Sequence, residues 1–404
     1  MKTRSLILMK WPTNVGYAIG ALEKVFYETA LELADGDPSA VHFGYTDIAP
    51  GRPATLPESF SNYHTIDINH PTPAMLKSLR ELVTRECIDF AMPFDIQPAH
   101  AMFPVMRAAG VHTIIPYWGA PISGVSPPWK RTLKRILLAT DLSRADGLIF
   151  ESQAMANLAI LGRGVAADRV DVVYLGVDTE KFRPAPGSDY VHSALGIPQD
   201  RKVFVFTGHC TQRKGIRTLI DAAIEVLHKR GRTDVCFLVC GNTGDESKPY
   251  EALYEQLPIA PWIRFLGYRR DVVQIFQSAY CGIIPSSGWD SFTLSSVEMA
   301  ACGLPIIASR LQGLAEAVLH EKTGFNFEPG NAAALADCIE RMADNPAATR
   351  AFGDAGRQRA VSELTLARQK AGLLRAIRRR LPYGAGVSGA GPGNRDNSAK
   401  SSFP

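Results

Sequence analysis

At 404 residues the chain is long for one hydrophobic core, so two domains of ordinary size are expected. Its 46% hydrophobic and 21% charged content is that of a soluble globular protein, and a formal net charge of +4 is too mild to argue for a nucleic-acid partner. The 7 cysteines are odd in number, scattered and without a CxxC pair, which leaves no basis for a disulfide framework or a zinc site.

The N-terminal stretch "MKTRSLILMKWP" sets only four apolar residues between charges. It reads as a first strand, not a signal peptide or membrane span, and the expected location is the cytosol. Further strands follow at "VHFGYT" (41–46), "IDFAMPF" (88–94), "HTIIPYW" (112–118) and "GLIFES" (147–152), with helical periodicity at 19–34 and 73–87 between them. "DRVDVVYLGVDTEKFRPAP" (168–186) gives a strand, a turn and a proline-containing exit that suits an interdomain linker. A second alternating run holds "KVFVFTG" (202–208), "DVCFLVCG" (234–241), "IRFLGY" (263–268), "YCGIIPS" (280–286), "LPIIAS" (304–309) and "GFNFEP" (324–329). Two doubly wound, parallel α/β domains in tandem are the economical reading, over 1–183 and 184–363. A helix over 364–382 precedes a tail, 383–404, whose Gly, Ser and Asn content predicts disorder.

Open α/β sheets bind ligands where strands end and helices begin, and four such junctions carry unusual residues. In "KWPTNVGYAIG", Gly16 permits close backbone approach to a phosphate, although a plain strand–helix turn also accounts for it. In "TGHCTQRKG" (207–215), Arg213 and Lys214 stand at a helix N-terminus, where cations oppose the macrodipole unless an anion is shared. In "WDSFTLSSVEMAAC" (289–302), a helix starting at Ser291 or Thr293 leaves the amides of Phe292, Thr293 and Leu294 as a diphosphate seat. Glu298 then lies about a turn further in, among apolar residues, where a carboxylate needs donors such as ribose hydroxyls or a basic residue of the same domain. Gly313 and Glu316 mark the fourth junction, which looks like an ordinary αβ connection.

Together "GHCTQRKG", "DSFTLSSVEMAACGLPIIAS", "GLAEAV…TGFNFEPGN" and the "VVYLGVDTEKFRP" linker resemble the family 4 glycosyltransferases of the GT-B fold, over about residues 1–382. The resemblance implies two Rossmann-like domains facing a cleft, with the final helix crossing back to the first domain. It implies that Lys214 contacts the donor diphosphate, Glu298 the ribose, and Asp290 the donor sugar hydroxyls. It further implies that the amides of Phe292, Thr293 and Leu294 meet the phosphates, Gly16 closes from the first domain, and the backbone near Tyr268 and Arg269 borders the base. Three positions depart from the family pattern: His209 replaces the loop arginine, with Arg213 as compensation; Asp290 shortens the first glutamate; and no histidine follows "HTIIPYWGAP", leaving His100 as another candidate.

The expected activity is retaining transfer of a sugar, a hexose by the resemblance, from a UDP or GDP sugar to a hydroxyl acceptor in glycan, glycolipid or exopolysaccharide synthesis. No metal or bound cofactor is expected, the nucleotide sugar being a co-substrate. The acceptor is a sugar, a lipid-linked compound or a small molecule, and no sequence rule decodes which. Alternatives are a GT-B epimerase or sugar-phosphate synthase, or a non-catalytic partner protein. The basic segments 127–138 and 373–382 read first as solvated helix faces and second as contacts with anionic membrane at the inner face of the plasma membrane.

Overall fold

The computed structural model describes residues 2–141, 143–241 and 245–382; the tail expected to be disordered, 383–404, lies outside the described residues. Eight strands come first: β1 Ser5–Leu8, β2 Val41–Tyr45, β3 Tyr63–Thr65, β4 Phe90–Pro93, β5 Thr113–Ile114, β6 Tyr117–Trp118, β7 Leu148–Phe150 and β8 Val170–Val172. They form sheets of order β3-β2-β1-β4-β5 and β6-β7-β8, all pairs parallel, joined by the Phe94–Tyr117 bridge. The single strand expected over 112–118 is two, because Pro116 has no N–H for a ladder and the chain changes sheets there. Strand β3, only half-buried at the sheet edge, gives too short an apolar signal to be anticipated.

The second domain follows with β9 Lys202–Thr207, β10 Val235–Cys240, β11 Ile263–Gly267, β12 Cys281–Ile284, β13 Ile306–Ser309 and β14 Gly324–Phe327. Its order is β11-β10-β9-β12-β13-β14, again parallel throughout. Strands β10, β12, β13 and β14 are buried along their whole length, as sheets covered by helices on both faces require. In each domain the strand order reverses beside the first strand, between β1 and β4 and between β9 and β12. In open α/β sheets the crevices that take ligands lie at such switch points, outside the carboxyl ends of the strands.

Beneath the first switch point, Phe26, Phe94 and Tyr117 pack edge to face with ring centroids 4.9–5.9 Å apart. Such pairs contribute about 0.5–1.5 kcal/mol each beyond their buried area. Helix Leu366–Arg378 lies on the first domain, against helix Tyr17–Leu33. It buries Leu373, Leu374 and Ile377, pairs Lys370 and Arg378 with Glu32, and its Gln369 side chain accepts from the Gly176 amide at 2.9 Å. Arg357 donates to the carbonyls of Thr179, Phe182 and Ala301 at 2.9–3.2 Å, so one guanidinium holds the linker to the second domain. Six cysteines are buried free thiols, while Cys87 is exposed.

Candidate active site

Two loops that are far apart in sequence meet at the second switch point. After β9 the chain makes a tight turn over Gln212–Lys214 and enters helix Ile216–Ile224 through Gly215 at φ 73°. A Cβ on Gly215 would lie 1.8 Å from the Pro285 carbonyl oxygen, so only glycine lets this loop cross the exit of β12. The crossing brings Lys214 Nζ to 2.6 Å from Asp290 Oδ2, the oxygen that also accepts from Ser286 Oγ at 2.7 Å. Arg213 stacks on the Trp289 ring, donates to the Trp289 carbonyl at 3.0 Å, and stands 4.0 Å from the other Asp290 oxygen.

Helix Leu294–Ala301 starts beyond this pair. Thr293 is the N-cap, its hydroxyl accepting from the Ser296 amide at 3.3 Å, and Thr207 at the end of β9 bonds Ser295 at 3.0 Å. Of the two expected starts, Ser291 and Thr293, the structure takes Thr293, so the first-turn amides of Leu294 and Ser295 are the ones left without intrahelical acceptors. Phe292 is fully buried and packs on Tyr174 of the first domain at 4.8 Å.

Glu298 is buried on the first turns of this helix. Its partner is not a basic residue of its own domain but the Tyr17 hydroxyl of the first domain, at 2.6 Å. Desolvation lifts the Glu298 carboxyl from its ordinary 4.5 to about 7, against the opposing effects of the Tyr17 bond and the Lys181 charge. Burial and the Glu298 charge push the Tyr17 phenol up in turn. Gly16, one residue earlier, has φ 150°, and a Cβ there would meet no heavy atom within 4 Å. Its glycine requirement is therefore conformational, and its backbone is open to close approach.

The first domain adds two carboxyl groups that sequence reasoning missed. Glu151, at the end of β7, is buried, accepts from the Tyr117 hydroxyl at 3.2 Å and lies against Gly119. Asp95 follows β4 at φ 53° and accepts from the Gly119 amide at 2.9 Å. Desolvation raises Glu151 to about 8, helped by the Asp95 and Asp290 charges, and raises Asp95 to about 6. The buried Ser291 hydroxyl faces Glu151 without a hydrogen bond of ordinary geometry. A polar residue ending the apolar run "GLIF" was the available signal for Glu151; Tyr17 carried none beyond its place after Gly16.

The remaining expectations fall as follows. Tyr268 is exposed and lies near enough to Tyr17 for their charges to interact, while Arg269 is paired with Asp271. His209 is exposed on the loop after β9. His100 accepts from the Met102 amide at 3.3 Å, just before helix Met102–Ala109. The fourth junction is more than an ordinary connection: Glu316 accepts from the amides of Gln153 and Ala154 at 2.9 and 2.7 Å and from the Tyr174 hydroxyl at 3.0 Å, capping a helix of the other domain.

Residues 23–181 match the family described as Glycosyltransferase Family 4, and residues 189–359 match Glycosyl transferases group 1. The chain belongs to these glycosyltransferases. A D-inositol 3-phosphate glycosyltransferase of Corynebacterium urealyticum is 31% identical over 217 residues, 52% of this chain and 51% of its own. One from Streptomyces avermitilis is 30% identical over 54% of this chain and 49% of its own. The chain spans about half the length of the curated relatives it matches. Among solved structures, a glycosyltransferase from Rickettsia africae superposes with a TM-score of 0.77 at 17% identity, over 95% of this chain and 100% of that one. Anabaena HepE, solved in complex with UDP, gives 0.73 at 19% identity, over 94% and 100%. These likenesses establish the GT-B fold for the family member described here.

Proposed function

We propose that this glycosyltransferase moves a sugar from a nucleoside-diphosphate donor to a hydroxyl acceptor, with retention at the anomeric carbon and without a metal ion. The observation that carries the reading is the meeting of Lys214, Asp290 and the start of helix Leu294–Ala301 at the second switch point, opposite Gly16 and Tyr17. As the bond from the anomeric carbon to the diphosphate breaks, negative charge grows on the departing phosphate. Lys214, Arg213 and the helix amides meet that charge with groups already oriented, which is where electrostatic stabilisation is worth most. The acceptor oxygen bonds to the same carbon on the same face, and its proton leaves on the phosphate oxygen. Glu298 accepts from the ribose hydroxyls in place of Tyr17, and Asp290, fixed by Lys214 and Ser286, accepts from a donor hydroxyl. UDP sugars are the first donors to test, because HepE was solved with UDP and with UDP-glucose.

The acceptor half of the site offers carboxyl groups, Asp95 and Glu151, with Lys10 as the cation acting on Asp95. That chemistry favours an uncharged sugar or polyol hydroxyl over a phosphorylated acceptor, although the curated relatives are named for inositol phosphate. Calorimetry with UDP and GDP sugars, followed by product analysis with and without acceptor, is the test. Lys214→Ala and Glu298→Ala are expected to lose transfer by a factor of about a hundred or more with the fold kept, and Lys214→Ala to lower the melting temperature as well, because it leaves the buried Asp290 carboxylate without its partner. Wild-type turnover in either variant removes the site assignment; activity is expected to be undiminished in excess EDTA, and strict dependence on an added divalent ion rejects the metal-free reaction. A sugar isomerised without acceptor would replace transfer by epimerisation.

A further inference from the structure

Helix Pro128–Thr140, "PWKRTLKRILLAT", has its polarity reversed relative to a surface helix. It has no buried residue. Trp129, Leu133, Ile136 and Leu137, which share one face by helical spacing, are 66%, 51%, 57% and 60% exposed, and Val125 in the loop before them is 69% exposed. The helix is attached to the domain by Leu138, which packs half-buried against the cluster of Trp118, Phe150 and Met155, and by polar side chains. Lys134 Nζ donates to Ser126 Oγ and to the Gly162 carbonyl, both at 2.8 Å, and Arg135 Nε reaches the Gly164 carbonyl at 3.4 Å. Monomeric proteins seldom leave so continuous an apolar strip in water.

Charge decides what covers it. The helix carries Lys130, Arg131, Lys134 and Arg135, and the sequence has no Asp or Glu between Asp95 and Asp141. Lys130 Nζ lies 5.2 Å from the Trp129 ring centroid, so a cation borders the strip at its aromatic end. A two-fold contact between copies would set these cations against their own images. An apolar face flanked by cations suits the headgroup layer of an anionic bilayer. No described helix is long and apolar enough to cross a membrane. The second basic segment, 373–382, is engaged otherwise: Leu373, Leu374 and Ile377 are buried, Arg378 pairs with Glu32, and Arg379 and Arg380 pair with Asp171.

The strip is close in sequence to the site. The loop leading into it starts at Gly119, whose amide donates to Asp95 beside Glu151. We propose that helix Pro128–Thr140 docks the protein on an anionic bilayer, with Trp129, Leu133, Ile136 and Leu137 in the headgroup–acyl boundary, and that the acceptor hydroxyl belongs to a lipid-linked molecule presented there. The docking claim stands alone; the acceptor claim rests on the glycosyltransferase reading above.

Co-sedimentation of the full chain with phosphatidylcholine vesicles, with and without phosphatidylglycerol, tests it. Binding is expected only to the anionic vesicles and is expected to fall with added salt. The variant Trp129→Ser, Leu133→Ser, Ile136→Ser should bind about tenfold more weakly or less, with unchanged melting temperature, since all three side chains are exposed. Absence of vesicle binding, or equal binding by the variant, overturns the proposal. So does light scattering that shows a dimer in the parent and a monomer in the variant, which would make a second copy the occupant. UDP-sugar binding by calorimetry should be equal in both proteins. If neither binds a nucleotide sugar while the vesicle result holds, the enzymatic reading fails and the docking does not.

Discussion

Glu298 and Glu151 are both buried carboxyls with raised pKa, yet they face different consequences. In the proposed function Glu298 faces the donor, and there an ionised carboxylate is the better acceptor for two ribose hydroxyls. Affinity for a nucleotide sugar, whose diphosphate diester does not titrate near neutrality, is therefore expected to rise with pH through about 7 and then level. Calorimetry across that range checks it, and Glu298→Gln should remove the step. Glu151 affects stability. Because its pKa rises from 4.5 to about 8 on folding, the native state keeps a proton that the unfolded chain has released, and stability falls as pH climbs through that window. Glu151→Gln should flatten the decline, by an amount on the order of a few kcal/mol between its ends, measured by urea unfolding at successive pH values. Glu298 was legible as a carboxylate in a run of small and apolar residues. Tyr17, 281 positions away in sequence, was not, because nothing local marks a hydroxyl whose partner lies in another domain.

At the scale of elements, the loops are set by backbone geometry more than by side chains. Gly215 combines φ 73° with a Cβ position 1.8 Å from the Pro285 carbonyl oxygen. Gly215→Ala is expected to push the Gln212–Lys214 turn off β12, lowering both melting temperature and nucleotide-sugar affinity; unchanged affinity with a lowered melting temperature would separate the turn from the site. Thr293→Ala removes the N-cap of helix Leu294–Ala301 and should cost about 1 kcal/mol in chemical denaturation. The strands were legible because parallel sheets need continuous apolar runs, and "VCFLVC" or "IIAS" can be little else. Where the reading failed, the cause was short range: Pro116 splits β5 from β6, and β3 is three half-buried residues at an edge.

The whole molecule is held by contacts that join its beginning to its end. Arg380, 8% exposed at its side chain, pairs with Asp171, and Lys370 and Arg378 reach Glu32. Asp171→Ala strands the Arg380 charge in a desolvated position, so a loss of about 2 kcal/mol in urea unfolding is expected. The same substitution in a chain that also carries Arg380→Leu should cost much less, because the only charge then left without Asp171 is that of Arg379, which is half-exposed to water. Glu316 works across the same divide from the other side, capping helix Gln153–Leu158 with a carboxylate from the second domain.

Hydrophobic periodicity and local turn chemistry determined the alternation of strands and helices, the two α/β halves, and the junctions that hold Gly16, Lys214, Asp290 and Glu298, since each depends on neighbours within a few residues. Only the tertiary structure decided that Lys214 meets Asp290, that Tyr17 covers Glu298, that Glu151 is buried beside Asp95, and that helix Pro128–Thr140 turns its apolar face outward. Those outcomes follow from which chain segments occupy the same volume, and a linear pattern carries no record of distances between residues hundreds of positions apart.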